Sequence, residues 1–162
     1  MNDQQGATSQ ADLQVLNRLG CTNLRLRQLM RRVARHYDVE MAQAGLKTTQ
    51  YSLLSHVLQL GPVRPGDLAK SMKVSASTLT RNLKPLVDAG WVALAEGSDA
   101  RSRSVAITAA GRAKRQAARG HWKVAQESLN TVLGAARVMA LHALINESMA
   151  LLAEADPTDA AD

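Results

Sequence analysis

The stretch Ser75-Ala76-Ser77-Thr78-Leu79-Thr80-Arg81-Asn82-Leu83-Lys84-Pro85-Leu86-Val87-Asp88-Ala89-Gly90 decides the fold of this 162-residue chain. Its leucines recur at 79, 83 and 86, the spacing of one helix face. By the same periodicity Ser77, Arg81 and Lys84 fall on the opposite side. Ser75 fits an N-cap, because a short hydroxyl side chain can accept from an orphan N–H of the first turn. Gly90 ends the run, so the helix is read from about Ala76 to Ala89. Pro85 conflicts with this, since an interior proline removes a hydrogen bond and kinks a helix. The apolar spacing continues through it and the helix is kept. Such a helix buries leucines while presenting small hydroxyls and cations, as a helix lying in a DNA major groove must.

Working outward, Pro65 suits the first turn of a short helix with Leu68, Ala69 and Met72 facing inward, and Val74 links it to Ser75. Residues 65–90 therefore read as helix, tight turn, helix. On the other side, Trp91-Val92-Ala93-Leu94 and Ser104-Val105-Ala106-Ile107 read as two short strands. The loop between them, Glu96 to Arg103, is polar and basic at its far end. A hairpin of this kind can act as a wing, placing a cation at the negative potential of a minor groove. Asp99 stands two residues before Arg101, close enough to hold the wing or orient the arginine.

Leu13, Leu16, Leu19, Leu26, Met30, Val33, Tyr37 and Met41 mark a long helical run from Asp12, with Gly20 as a candidate break and Gly45 as a C-cap. Thr48 or Thr49 is expected to cap a helix with Tyr51, Leu54, Val57 and Leu58, which stops at Gly61-Pro62. Thr108 is expected to cap a long helix bearing Ala118, Trp122, Ala125, Leu129 and Val132. Gly134 separates it from a last helix with Val138, Leu141, Ile145, Met149 and Leu152. Residues 1–11 and 155–162 are read as flexible termini. The fold class is mainly α with one small β-hairpin.

The net charge of +6 hides an uneven distribution. Residues 61–120 hold 11 basic and 4 acidic side chains, a balance of +7, and residues 124–162 hold one basic and six acidic, a balance of −5. A second basic cluster, Arg25, Arg27, Arg31, Arg32 and Arg35, lies on one early helix. A basic middle with an acidic end points to a polyanionic partner, most often nucleic acid. Apolar residues make up 46 %, enough for a packed core, yet Tyr37, Tyr51, Trp91 and Trp122 are the only aromatics. A lone cysteine excludes an intramolecular disulfide and an all-Cys zinc site within one chain. No uninterrupted apolar run approaches the ~20 residues of a membrane span, and no signal-peptide pattern opens the chain, so the expected location is the cytoplasm. No nucleophile–base pair, phosphate-cradling glycine loop or metal cluster is evident, which argues against an enzyme and calls for no cofactor.

Residues 46–111 resemble the multiple-antibiotic-resistance regulator (MarR) family. The resemblance rests on Leu46-Lys47-Thr48-Thr49-Gln50-Tyr51, Leu68-Ala69, Ser77-Thr78-Leu79-Thr80-Arg81, Leu86-Val87, Gly90-Trp91-Val92, and Asp99-Ala100-Arg101 leading to Thr108-Ala109-Ala110-Gly111. Pro85 within Leu83-Lys84-Pro85-Leu86 resembles many members too. The Asp-x-Arg wing before a Thr-x-x-Gly helix start is the most specific part. The resemblance implies a winged helix-turn-helix homodimer on a near-palindromic operator in double-stranded DNA. It implies a winged helix-turn-helix domain at 46–108 and a discontinuous dimerisation domain at 12–44 and 109–154. By matching position, Ser75, Ser77, Thr78, Arg81 and Lys84 would face the major groove, and Arg101 with Arg103 the minor groove. The apolar stripes of the flanking helices agree, being too extensive to leave exposed.

The resemblance also implies a switch. Many members release DNA on binding a small aromatic acid. Tyr37, Tyr51, His56 and an arginine such as Arg25 are candidates to clamp one, although each such residue is more often core or surface. Other members respond to oxidation of a cysteine near the start of the first helix, where Cys21 stands. Tyr37 matches one of the two tyrosines that hold the thiolate in peroxide sensors, but Thr48 occupies the other position and Cys21 is about two residues off the usual spacing. An inert, half-buried thiol is the commoner role for such a residue. His36 and Glu40 are spaced to share a metal, with no third ligand in view.

Overall fold

Helix starts and stops in this chain follow its capping residues closely. A computed structural model describes residues 9–95 and 103–155. The chain divides between Arg35 and His36 into two compact units. The first holds α1 (Gln10–Leu19) and the start of α2 (Thr22–Gln43). Helix α1 begins two residues before the expected Asp12. Ser9 and Asp12 form a reciprocal capping box, in which the Ser9 hydroxyl oxygen accepts from the Asp12 N–H at 3.1 Å and the Asp12 carboxylate accepts from the Ser9 N–H at 3.1 Å. Gly20, at φ 84°, breaks the long run that the apolar periodicity suggested, so α1 and α2 are separate helices.

The second unit contains the rest of α2, then α3 (Thr48–Leu60), α4 (Pro65–Met72), α5 (Ala76–Asp88), β1 (Val92–Ala95), β2 (Ser104–Ile107), α6 (Ala109–Leu133) and α7 (Ala135–Ala155). Its core is Met41, Leu46, Tyr51, Leu53, Leu54, Val57, Leu68, Leu79, Leu83, Leu86, Val92, Val105 and Ile107, together with Ala118 of α6. The inward residues expected on α3, α4, α5 and the strands are therefore packed against one another.

Three local expectations need correction. The start of α3 is not capped by its own threonines. Lys47 occupies the N-cap position, the Gln50 side chain accepts from the Lys47 N–H at 2.8 Å, and the Thr48 N–H and hydroxyl both donate to the Asp38 carboxylate of α2. Strand β1 starts one residue late, because the Trp91 N–H is held by the Leu86 carbonyl at the end of α5. The hairpin also has a third participant. Val63 exchanges both backbone hydrogen bonds with Val105, at 3.0 and 2.8 Å, and so flanks β2. A two-stranded hairpin is marginal alone, so this bridge and the burial of Val92, Val105 and Ile107 anchor it.

Helix α7 has no buried residue, and its Met139, Leu144 and Leu152 are 67 %, 61 % and 69 % exposed. At 21 residues and a mean hydropathy of 1.2, α7 is long and apolar enough to cross a membrane by length and composition alone. The helix nevertheless contains no uninterrupted apolar run of that length, because Arg137, His142, Asn146 and Glu147 punctuate it. Leu13, Val15, Leu16 and Leu19 of α1 are likewise half or more exposed.

Candidate nucleic-acid interface

The helix-turn-helix is built on one unusual backbone position. Lys73 ends α4 in the left-handed region, at φ 52° and ψ 47°. The Lys73 N–H bonds to the Lys70 carbonyl at 3.0 Å, and the Val74 N–H reaches back to the Ala69 carbonyl at 3.0 Å. This closes the last turn of α4 and reverses the chain within two residues. Ser75 then caps α5 as expected, its Oγ accepting from the Thr78 N–H at 3.2 Å. The Ser75 hydroxyl also donates to Thr78 Oγ1 at 2.9 Å and lies 3.1 Å from Ser77 Oγ. Three hydroxyls thus cluster at the N-terminus of α5, where unpaired N–H groups favour an anion.

Leu79, Leu83 and Leu86 are buried, and Ser77, Arg81 and Lys84 are exposed, so α5 presents the polar face that its spacing predicted. Pro85 lies inside the helix on the exposed side. Lys84 is held by Asp88 at 2.9 Å, a surface pair one turn apart that contributes only a few tenths of a kcal/mol, about 0.3–0.5, and yields readily to a phosphate. The Thr80 hydroxyl donates to the Ala76 carbonyl at 2.9 Å, which occupies its proton within the helix. Helix α5 is about 20 Å long, and a major groove about 12 Å wide admits it.

The hairpin is fixed to α5 and α6 through Gly90, Trp91, Thr108 and Gly111. The Thr108 N–H donates to the Trp91 carbonyl at 3.1 Å, the Thr108 hydroxyl donates to the Gly90 carbonyl at 2.7 Å, and Thr108 Oγ1 accepts from the Gly111 N–H at 3.0 Å. A Cβ on Gly111 would lie 2.0 Å from the Trp91 oxygen. The threonine caps α6 while the glycine lets the backbone leading into β1 touch the helix. The strands pair antiparallel with Val92 opposite Ile107 and Ala95 opposite Ser104. Arg103 is exposed immediately before β2. Asp99 and Arg101 lie outside the described residues.

Arg64, Lys70, Lys73 and Arg112 are further cations in and around α4 and the start of α6. All four are exposed, two at the ends of α4, one in the turn and one in the first turns of α6. Their only signal in the sequence was membership of the +7 segment.

The effector candidates are more dispersed. Cys21 and Arg25 belong to the first unit. Cys21 is an exposed thiol, and Arg25 Nε donates to the Leu19 carbonyl at 2.8 Å. In the second unit Tyr37 is buried, its hydroxyl donates to Gln126 Oε1, and burial pushes its pKa above the usual phenol value. Tyr51 stacks on Trp122, with ring centroids 5.9 Å apart. The Arg115 guanidinium lies 5.6 Å from the Tyr51 ring centroid, and its Nε donates to Ser55 Oγ at 3.2 Å. His56 Nδ1 is 2.8 Å from the Ser52 carbonyl. Tyr51 and His56 share α3, and the cation beside Tyr51 is Arg115, a residue sixty positions from Ser55 that spacing gave no reason to choose. Glu40 faces His121 at 3.7 Å and accepts from Gln43 at 2.9 Å, while His36 lies edge-on to Tyr37.

The MarR family model matches residues 44–102. An uncharacterised HTH-type transcriptional regulator, YwoH of Bacillus subtilis (strain 168), is 30 % identical over 83 residues, which is 51 % of this chain. The chain spans 61 % of the length of that curated relative. Among solved structures, the M. tuberculosis transcriptional regulator MosR in complex with DNA is 31 % identical, with a TM-score of 0.65, covering 80 % of this chain and 98 % of that one. Bordetella bronchiseptica BpsR, whose DNA binding is regulated by 6-hydroxynicotinic acid, has a TM-score of 0.72 at 18 % identity and covers 80 % of this chain and 94 % of that one. At that identity the second likeness is one of fold.

Proposed function

The chain belongs to the MarR family of transcriptional regulators, and on that premise we propose that it is a homodimeric repressor of a near-palindromic operator, released by a small aromatic acid. The observation that carries the DNA reading is α5. Its leucines are buried, its Ser77, Arg81 and Lys84 stand exposed, and a capped N-terminus rich in hydroxyls leads it. In this reading α5 enters the major groove, with Arg81 at base edges and Ser75, Ser77, Thr78 and Lys84 at bases or phosphates. The hairpin carries Arg101 and Arg103 to the minor groove, with Asp99 steadying it. MosR in complex with DNA supports the same use of the fold.

Residues 46–108 form the DNA-binding domain in this proposal, and 12–44 with 109–154 form the dimerisation domain. The unburied apolar side chains of α1 and α7 are the argument for a second copy, since patches of that kind are seldom left to water. A two-fold dimer then matches a two-fold operator. The aromatic-acid reading draws on the BpsR–hydroxynicotinate precedent and on Tyr51, with Arg115 as the cation placed beside it. The protein would act in the cytoplasm, where its DNA is.

Gel-shift titration against a duplex selected from a random pool tests this. Arg81→Ala should weaken specific binding roughly 10- to 100-fold while leaving random-duplex binding within a few-fold, and Arg101→Ala should weaken both. Equal affinity of the wild-type protein for selected and random duplexes at physiological salt would refute sequence-specific regulation. Small aromatic acids are then screened for release. A second reading, a thiol switch, is favoured by the exposure of Cys21. Peroxide would then abolish DNA binding by the wild type and spare Cys21→Ser. Equal responses remove Cys21 from the mechanism.

A further inference from the structure

The recognition helix and wing leave one charged feature unused. Arg25, Arg27, Arg31, Arg32 and Arg35 of α2 are all exposed and belong to the first unit. No acidic residue lies between Leu13 and Tyr37. Arg25 is partly engaged with the Leu19 carbonyl, and none of the five forms an ion pair among the described residues. Arg27, Arg31 and Arg35 stand at i, i+4 and i+8, so they form one stripe, with Arg32 beside it. Like charges so spaced repel and weaken a helix, which a mere solubilising face would relieve with interleaved glutamates. The choice of cation is also one-sided. The first 46 residues contain six arginines and no lysine. Guanidinium is the cation that pairs bidentately with phosphate and sheds water most easily.

We propose that this arginine face of α2 is a second, sequence-independent contact surface for the phosphate backbone of duplex DNA, additional to the bases and phosphates met by α5 and the wing. The proposal rests on the reading of the chain as a DNA-binding regulator. The stripe from Arg27 to Arg35 is about 12 Å long, and each DNA strand presents a phosphate about every 3.4 Å along the axis, so the stripe spans roughly three to four phosphates. A second copy of the chain fits the face less well. Within α7 itself a second copy would bring Glu147 and Glu154, two turns apart, against five arginines, while Asp156, Asp159 and Asp162 lie outside the described residues. The phosphates come either from DNA flanking the operator or from a second duplex.

The test compares the wild type with an Arg27→Gln/Arg31→Gln/Arg35→Gln variant of the full chain, shown by circular dichroism to be folded. Affinity is measured across a salt series on a selected duplex of about 20 base pairs, on the same site within about 60 base pairs, and on a random duplex of the longer length. The variant should lower the salt slope on long DNA by about two to three and its affinity about tenfold, while keeping the ratio of selected to random binding. Arg81→Ala should do the reverse, losing the ratio and keeping the slope. Loss of the wild-type gain with duplex length identifies flanking DNA. Loss of bridging between two labelled duplexes identifies a second duplex. An unchanged slope on every duplex overturns the proposal. An unchanged slope with dissociation of the oligomer assigns the face to a second copy. An unchanged slope with lost binding to vesicles containing phosphatidylserine assigns it to a lipid surface.

Discussion

Gly111 ties the wing to the body of the domain through the absence of a side chain. Its neighbour is backbone, the Trp91 carbonyl, which cannot rotate away as a flexible side chain could. Gly111→Ala should therefore destabilise the protein by about 2 kcal/mol, the range of overpacked cores, as read by urea denaturation; a change under about 0.5 kcal/mol would show that the strand yields. Lys73 presents the opposite case, a side chain kept in a conformation that suits glycine. Lys73→Gly should raise stability by up to about 1 kcal/mol, because relief of the left-handed strain outweighs the added freedom of the unfolded chain. The same substitution removes a cation beside the helix-turn-helix, so DNA affinity should fall as the melting temperature rises. Tyr37 sets an alkaline limit. Burial raises its folded pKa above the unfolded value, so the neutral phenol stabilises the fold below about pH 10 and that contribution is lost as pH rises through the folded value. Stability measured from pH 8 to 11 should fall more steeply for the wild type than for Tyr37→Phe. Parallel curves would assign the decline to other groups.

At the scale of elements, capping explains why the caps of some helices were legible in the sequence and the cap of α3 was not. Ser75 and Thr108 cap the helices that follow them, by side chains three residues from the N–H groups they accept from. Such contacts are local and can be seen in a sequence. The cap of α3 comes from Asp38, ten residues earlier on another helix, and only the packing of α2 against the start of α3 makes it available. Asp38→Ala should accordingly lower stability by about 1 kcal/mol, within the range of lost N-caps, while Thr49→Ala should change little. A larger effect of Thr49→Ala in thermal melts would point to a cap other than the one described. The hairpin shows the same division. Its two strands were readable from alternation and turn residues, whereas Val63 as a flanking partner was not, because forty-two residues separate it from Val105.

Across the whole molecule, α1 and α7 leave a large share of their apolar side chains exposed, and patches of that kind commonly mark interaction surfaces. If a second copy covers them, Leu144→Glu together with Met149→Glu should shift sedimentation from dimer to monomer and abolish tight operator binding, since one half-site loses the tethered other. Retention of the dimer would place the interface elsewhere. Recovery of the wild-type chain with membranes instead of the soluble fraction would favour the spanning reading of α7 that its hydropathy allows.

The sequence by itself determined the order of elements from α3 onward, the split of α5 into a buried leucine face and an exposed polar face, and the Thr-x-x-Gly junction, because periodicity, caps and turn residues act over three to five positions. It also located the basic middle of the chain, residues 61–120, since charge adds along the chain whatever the fold. Only the tertiary structure decided which distant groups meet. Arg115 came to Tyr51 and Ser55, Gln126 to Tyr37, Trp122 to Tyr51 and Val63 to Val105, through the packing of helices and strands far apart in the chain. These pairings depend on how buried faces register against one another, and a single chain's local pattern carries no record of that register.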